Sequence, residues 1–299
     1  MTDLPAVRVR QAHPFENTGC DDAGHFSQKL NNGRNARTFK GYICLFFCLV
    51  TSAIHFELAT DLSTNCFLAA LRRFMSRRGK CSSIFSDNGR IFLGAASVLN
   101  EIYAAIMSQF RNEIIAPHWG GVWESAVRSV KSHLQRVIGN AVLTFEQMNT
   151  LLTQIEAVVN SRPLGATSDS DTNYLSSFHF LIGRPYTLVP EDDLSHINDN
   201  KLDYRQHIEN MLHGFWRTLH QEYLTSLQNR PKWFRLQPNI AVGNIVVITE
   251  SSIPPAKCLI AKVTEIHLGS DGLVQIVKLY TVHEEITRPI TKVVVLPVL

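Results

Sequence analysis

The spacing of apolar and polar positions changes several times along the chain, and each change marks an element. Tyr42–Val50 is an unbroken apolar run of strand length, and Ile54–Ala59 alternates after a break at Thr51 and Ser52. Two such runs separated by a tight turn predict neighbouring strands. Phe67, Leu68, Leu71, Phe74 and Met75 then recur at helical spacing, between capping residues at Asp61–Thr64 and Gly79. Ser82–Ser86 reads as a short strand stopped by the turn signal Asp87-Asn88-Gly89. A long helix is expected from about Gly121, with Trp123, Ala126, Val127, Val130, Leu134 and Val137 on its buried face. Another starts near Thr144, where Thr144-Phe-Glu-Gln147 has capping-box spacing, and Pro163 closes it.

The second half reads differently. Thr167–Asn200 is turn-rich and includes the acidic run Glu191-Asp192-Asp193, which predicts an irregular connector; residues 203–233 are helical in pattern. From about residue 240 the pattern is all-β. Ile245–Thr249, Leu259–His267, Leu273–Val282 and Thr291–Leu296 are short strands, with a turn at Gly269-Ser-Asp-Gly272, and a small barrel of about five strands is expected. Strands followed by helices in the first half predict an α/β layer with a mixed sheet. The resulting division is 1–164, 165–239 and 240–299.

Charge refines this picture. The net charge of +3 is small, but residues 1–164 carry 17 Lys and Arg against 12 Asp and Glu, so a polyanion would dock on the first half. The six cysteines include no CxxC pair, which argues against a disulfide framework and for a reducing, intracellular setting. No N-terminal apolar segment suggests a signal peptide, and Lys40, His55 and Glu57 interrupt the most apolar stretch, so no membrane span is expected. The 12 histidines show no zinc-ligand spacing.

Three acidic residues stand out by position. Asp21 lies in the short apolar patch Cys20–Phe26, a candidate first strand; Asp87 ends a strand; Glu124 opens a helix 37 residues later. Carboxylates so placed can converge and offer the oxygen ligands that hard divalent cations prefer. Two such ions about 4 Å apart can activate one oxygen and stabilise another in an in-line displacement at phosphorus. Glu124, Arg128, Lys131 and Gln135 share one helix face, which suits either a phosphate backbone or a plain solvated face with an i,i+4 ion pair. Asp-Asn-Gly is also a common turn, and His118 could be an ordinary loop histidine. The cluster Arg72, Arg73, Arg77, Arg78 and Lys80 reads as a solvated helix face or a DNA contact.

Taken in order, the motifs carry a family resemblance. Phe15-Glu-Asn-Thr-Gly-Cys-Asp21-Asp-Ala-Gly-His-Phe26 resembles the first-strand motif of BEL/Pao-type long-terminal-repeat retrotransposon integrases. Lys40–Phe46, Ala53–Leu58, Phe67–Gly79, Ser86–Gly89, Ala116-Pro-His118-Trp-Gly-Gly-Val-Trp-Glu124, Asn160–Pro163, His179–Gly183 and Arg288–Lys292 continue it over nearly the whole chain. The resemblance implies a ribonuclease-H-like core at 1–164 and a connector with helices at 165–239. An SH3-like barrel would follow at 240–299. It implies a catalytic and metal-binding triad of Asp21, Asp87 and Glu124, using Mg²⁺ or Mn²⁺, with two ions when DNA is bound. His118, Arg128 and Lys131 would contact DNA. The reaction implied is trimming of element DNA ends and their joining to target DNA, by a homo-oligomer acting on chromatin in the nucleus.

The chain departs from the family pattern in places. Asp22 and His25 stand where the family has Tyr and Pro, and Arg90-Ile91 where it has Thr-Asn. The interval from Asp87 to Glu124 is short for BEL/Pao relatives, and an upstream zinc-binding domain is expected but not seen. An alternative is therefore a catalytically inactive or domesticated remnant that binds DNA or chromatin.

Overall fold

The computed structural model describes residues 10–33, 35–86, 92, 94, 95, 97, 98, 114, 115, 121–167, 174–186, 194, 197, 202–227, 239–250, 253–282 and 284–297, except the side chains of 114, 115 and 121–126. They fall into two units, one of residues 1–160 with 197–212 and the other of 161–196 with 213–299. The stretch expected as a connector is divided between them. Among the described residues no helix is long and apolar enough to cross a membrane.

In the first unit, β1 (Asn17–Lys29), β2 (Thr38–Cys48) and β3 (Ile54–Ala59) form an antiparallel meander. On the other side of β1 lies β4 (Ser83–Phe85), parallel to it, and then β5 (Ile114–Ile115), parallel to β4. The order β3-β2-β1-β4-β5, with β2 alone reversed, is the mixed sheet expected of a ribonuclease-H-like core. The apolar run of β2 is buried on both faces, from Ile43 to Cys48, as a central strand covered on both sides must be.

Helices pack against this sheet. α1 (Thr64–Arg78) starts at Ser63, whose side chain accepts the amide of Cys66, and buries Phe67, Leu71 and Phe74. Phe74 stacks on Phe46 of β2 with ring centroids 4.2 Å apart. α2 (Gly121–Ile138) buries Val127, Val130, Leu134 and Ile138. The strand pair β6 (Leu143–Thr144) joins the far end of β1 and leads into α3 (Phe145–Asn160). The expected capping box is present. The Thr144 amide donates to Gln147 Oε1 at 2.6 Å, and the Gln147 amide donates to Thr144 Oγ1 at 3.2 Å.

The second unit contains structure where an irregular connector was expected. β7 (Pro163–Ala166) and β8 (Tyr174–Ser176) form a hairpin, and α4 (Ser177–Ile182) follows, ending at Gly183 with φ 73°. Strands of four and three residues are too short to announce themselves by alternation. α5 (Tyr204–Leu227) starts from a reciprocal pair of Asp203 and Gln206, and its residues from 213 onward belong to this unit. β9 (Ile245–Ile248), β10 (Leu259–Leu268), β11 (Val274–Tyr280), β12 (Glu285–Pro289) and β13 (Val293–Val295) make an antiparallel sheet in the order β12-β11-β10-β9-β13. Both faces are apolar. Val246, Ile248, Ala261, Val263, Val277 and Leu279 pack into one core, while Ile245, Val247, Ile260 and Val294 pack with Leu224 of α5 and Ala166 of β7. About five strands were expected, and β12 is the one whose position was not read from the sequence. It ends in a proline and alternates only between exposed and half-buried positions, as an edge strand can.

Candidate metal and nucleic-acid site

Asp21 sits in the middle of β1, opposite Leu45 of β2, between the buried Cys20 and Ala23. Its Oδ1 accepts the amide of Asp22 at 2.8 Å. The parallel ladder between β1 and β4 ends at the pair Gly19 and Phe85. Asp21 follows Gly19 by two residues, and Asp87 follows Phe85 by two residues in sequence. Parallel neighbours open at the same end of a sheet, the usual place for a site in α/β folds. Asp87 and His118 themselves lie outside the described residues. The backbone of Glu124 belongs to α2, but its side chain lies outside the described atoms.

α2 reaches β1 through a charge. Lys131 Nζ lies 2.5 Å from Asp21 Oδ2, with the two side chains 25% and 32% exposed. The helix is held by its buried stripe, so Lys131 is presented from a fixed backbone while Arg128 and Gln135 stay exposed. The sequence reading had Lys131 on a phosphate-binding or solvated face and gave no partner for it; here it bridges helix and sheet.

An implied divalent cation can be tested against this carboxylate. Asp21 offers an oxygen that already serves a positive charge, the Lys131 ammonium, in surroundings partly open to solvent. Such a donor fits Mg²⁺ or Mn²⁺. Among the described residues no three His, Cys, Asp or Glu side chains form a metal-binding group. Two members of the expected triad are not among the described side chains.

The arginine cluster on α1 lies on a largely exposed face, as the solvated-face reading expects, with Arg72, Arg73, Arg77 and Lys80 exposed, but three of its members also bind carboxylates. Arg73 Nε and Arg77 Nη1 donate to Glu57 on β3, each at 2.6 Å, and Arg73 Nη2 donates to the carbonyl of Leu58 at 2.5 Å. Arg78 pairs with Glu156 on α3. His55 lies between the two carboxylates, 3.0 Å from each. Burial works to lower the His55 pKa, but the hydrogen bonds to Glu156 and Glu57 outweigh it and leave it raised. Burial likewise works to raise Glu57, and hydrogen bonds from His55 and Arg73 hold it below the usual carboxylate range. Three of the five cations are thus bound to this internal network, which sequence reasoning missed. A signal was present: His55 and Glu57 are the polar positions of a strand inside an otherwise apolar segment.

The fold defined by these elements is a ribonuclease-H-like mixed α/β core accompanied by a C-terminal antiparallel β-sheet. Sequence comparison matches residues 203–296, which span α5 and the C-terminal sheet, to a family of unknown function (DUF5641). No curated protein matches the chain in sequence. Among solved structures, the HTLV-2 integrase catalytic core domain in complex with magnesium, in its trimeric form, is similar at 13% identity. That match covers 57% of this chain and 99% of that one, with a TM-score of 0.39. The simian T-cell lymphotropic virus intasome in complex with PP2A regulatory subunit B56 gamma matches at 10% identity over 99% of this chain and 84% of that one, with a TM-score of 0.41. The catalytic core domain of BIV integrase matches at 13% identity over 56% and 95%, with a TM-score of 0.38. These are distant likenesses, and the fold class stands on the strand order and directions given above.

Proposed function

We propose that this chain is the integrase of a BEL/Pao-type long-terminal-repeat retrotransposon, with Asp21, Asp87 and Glu124 as its metal-binding carboxylates. The observation that carries the reading is the contact of Lys131 with Asp21, which ties α2, the helix of Glu124, to the central strand β1. The parallel neighbour of β1 is β4, whose sequence runs on into Asp87. In this reading Asp21, Asp87 and Glu124 hold Mg²⁺ or Mn²⁺. When bound, such ions stabilise charge on the attacking and leaving oxygens of an in-line displacement at phosphorus. Arg128, Lys131 and His118 hold the DNA.

Two displacements make up the reaction. In end trimming a water oxygen bonds to phosphorus as the P–O3′ bond breaks, and the leaving oxygen takes a proton to become the 3′-hydroxyl. In joining, that hydroxyl attacks a target phosphodiester and the target's own 3′-oxygen leaves. Joining two element ends to one target calls for more than one active site, so the reading includes self-association, with chromatin as the place of action.

The test is resolution of a branched DNA that mimics the joined product, in Mn²⁺, with Asp21→Asn, Asp87→Asn and Glu124→Gln as controls. Resolution lost in all three variants supports the reading. The short interval between Asp87 and Glu124, together with Arg90, favours a second one, a non-catalytic remnant that binds DNA or chromatin. A folded, DNA-binding chain that resolves nothing would establish it instead.

A further inference from the structure

We propose that Lys131 and a divalent cation exchange on Asp21, so that loading the carboxylate with metal releases the lysine. The exchange rests on the reading of Asp21 as a metal ligand. Asp21 Oδ1 accepts the Asp22 amide at 2.8 Å, and Oδ2 is the oxygen that the ammonium holds at 2.5 Å. A dication on that oxygen and an ammonium at hydrogen-bond distance from it would repel each other strongly. Metal on Asp21 therefore weakens the lysine's hold on it. The lysine is the mobile partner, because its backbone is fixed by Val127, Val130 and Leu134 while its four-carbon stem can swing. Both side chains are partly open to solvent, so an incoming ion has access and the pair is a modest competitor.

Without metal, the ammonium neutralises a carboxylate set next to the buried Cys20. With metal, the same ammonium is freed three positions from the exposed Arg128, and i,i+3 positions are neighbours on a helix. Metal loading thereby adds a second cation to the surface offered to phosphate. Lys131 is on this account a positioning residue, whose state reports whether Asp21 carries metal.

Two readouts on the full chain test the exchange without any turnover. Calorimetric titration with Mn²⁺ is compared among wild type, Asp21→Asn, Lys131→Met and Lys131→Gln, with folding checked by circular dichroism. Acylation of Lys131 by an amine-reactive ester is followed by mass spectrometry with and without Mn²⁺. We expect Mn²⁺ binding that Asp21→Asn abolishes and that both lysine variants tighten about fivefold, the worth of a partly exposed ion pair. Mn²⁺ should also raise Lys131 acylation in wild type, while Asp21→Asn shows high acylation indifferent to Mn²⁺. Binding that depends on Asp21 but is not tightened in the lysine variants, or acylation unmoved by Mn²⁺, overturns the exchange and leaves Asp21 as a ligand. No Asp21-dependent binding in wild type or in either lysine variant overturns the exchange and the metal reading together.

Discussion

Asn160 accepts the amide of Ile54 and donates to its carbonyl, both at 2.8 Å, so the last residue of α3 replaces a neighbour strand on the outer edge of β3. One turn earlier Glu156 accepts the amide of Phe56 at 3.0 Å, and Arg73 of α1 serves the carbonyl of Leu58. The match is geometric. Four helical residues advance about 6 Å and two strand residues about 6.6 Å, so side chains at i and i+4 can serve backbone groups at i and i+2. An open sheet edge invites pairing with other chains, and here helix side chains close it.

Asn160→Ala should therefore cost more than an ordinary polar truncation. It leaves a buried amide and a buried carbonyl of Ile54 without partners, a loss of about 2–4 kcal/mol. Urea unfolding followed by circular dichroism measures it. The variant should also self-associate more at high protein concentration, by light scattering, because the edge is uncovered. An unchanged urea midpoint would sink the edge-closing role.

How far β3 was legible shows where sequence reasoning stops. Its bounds, Ile54–Ala59, follow from alternation between two breaks, yet the alternation misstates exposure: His55 and Glu57 are buried because Arg73, Arg77 and Glu156 meet them. Those partners lie between 16 and 101 residues away, beyond any local pattern. Helix starts were legible where their signals are local, as at Ser63 and Thr144, and the Asp203–Gln206 pair was overlooked although equally local. At the site, the place of Asp21 on a strand could be read, whereas its pairing with Lys131 depends on how α2 packs on the sheet.

The network around His55 sets a pH window. The folded His55 pKa is raised, so its contribution is full below the unfolded value of about 6.5 and is lost as pH rises through the folded value. Glu57 is lowered, so its contribution is present above about 4.5 and fades as pH falls through its depressed value. The network should be strongest between these limits. Thermal unfolding of wild type and His55→Phe from pH 4 to 9 checks this: the advantage of wild type should shrink on the alkaline side. A gap that widens with rising pH would contradict it.

His220 should behave in the opposite sense. It is buried on α5 against the Trp216 ring, 4.5 Å between centroids, and burial pushes its pKa down to about 4. A neutral buried imidazole favours the fold above the unfolded value near 6.5, and that stability drains away as pH falls towards 4. The loss reaches about 3 kcal/mol once pH has fallen below the folded value of about 4. NMR titration of the His220 imidazole should find a midpoint well below 6.5, whereas His55 titrates above it. His220→Phe should keep its stability in acid better than wild type does. A normal midpoint for His220 would refute the assignment.

Arg128 and Arg78 separate DNA contact from scaffold. Arg128 is exposed on α2, beside the pair of Lys131 and Asp21, whereas Arg78 is bound to Glu156 and touches His55 Nδ1 at 3.4 Å. If Arg128 meets phosphate, Arg128→Ala should weaken binding to double-stranded DNA alike for all sequences and reduce the salt slope by about 1. Stability should hardly change, since the residue is exposed. Arg78→Ala leaves the buried Glu156 only His55 and the Phe56 amide as partners, so it should lose about 2–4 kcal/mol of stability and keep the salt slope of wild type wherever it remains folded. Fluorescence anisotropy at several salt concentrations, paired with urea unfolding of the same samples, measures both quantities. A reduced slope in Arg78→Ala and an unchanged one in Arg128→Ala would move the DNA surface from α2 to α1, and with it the orientation of substrate over Asp21.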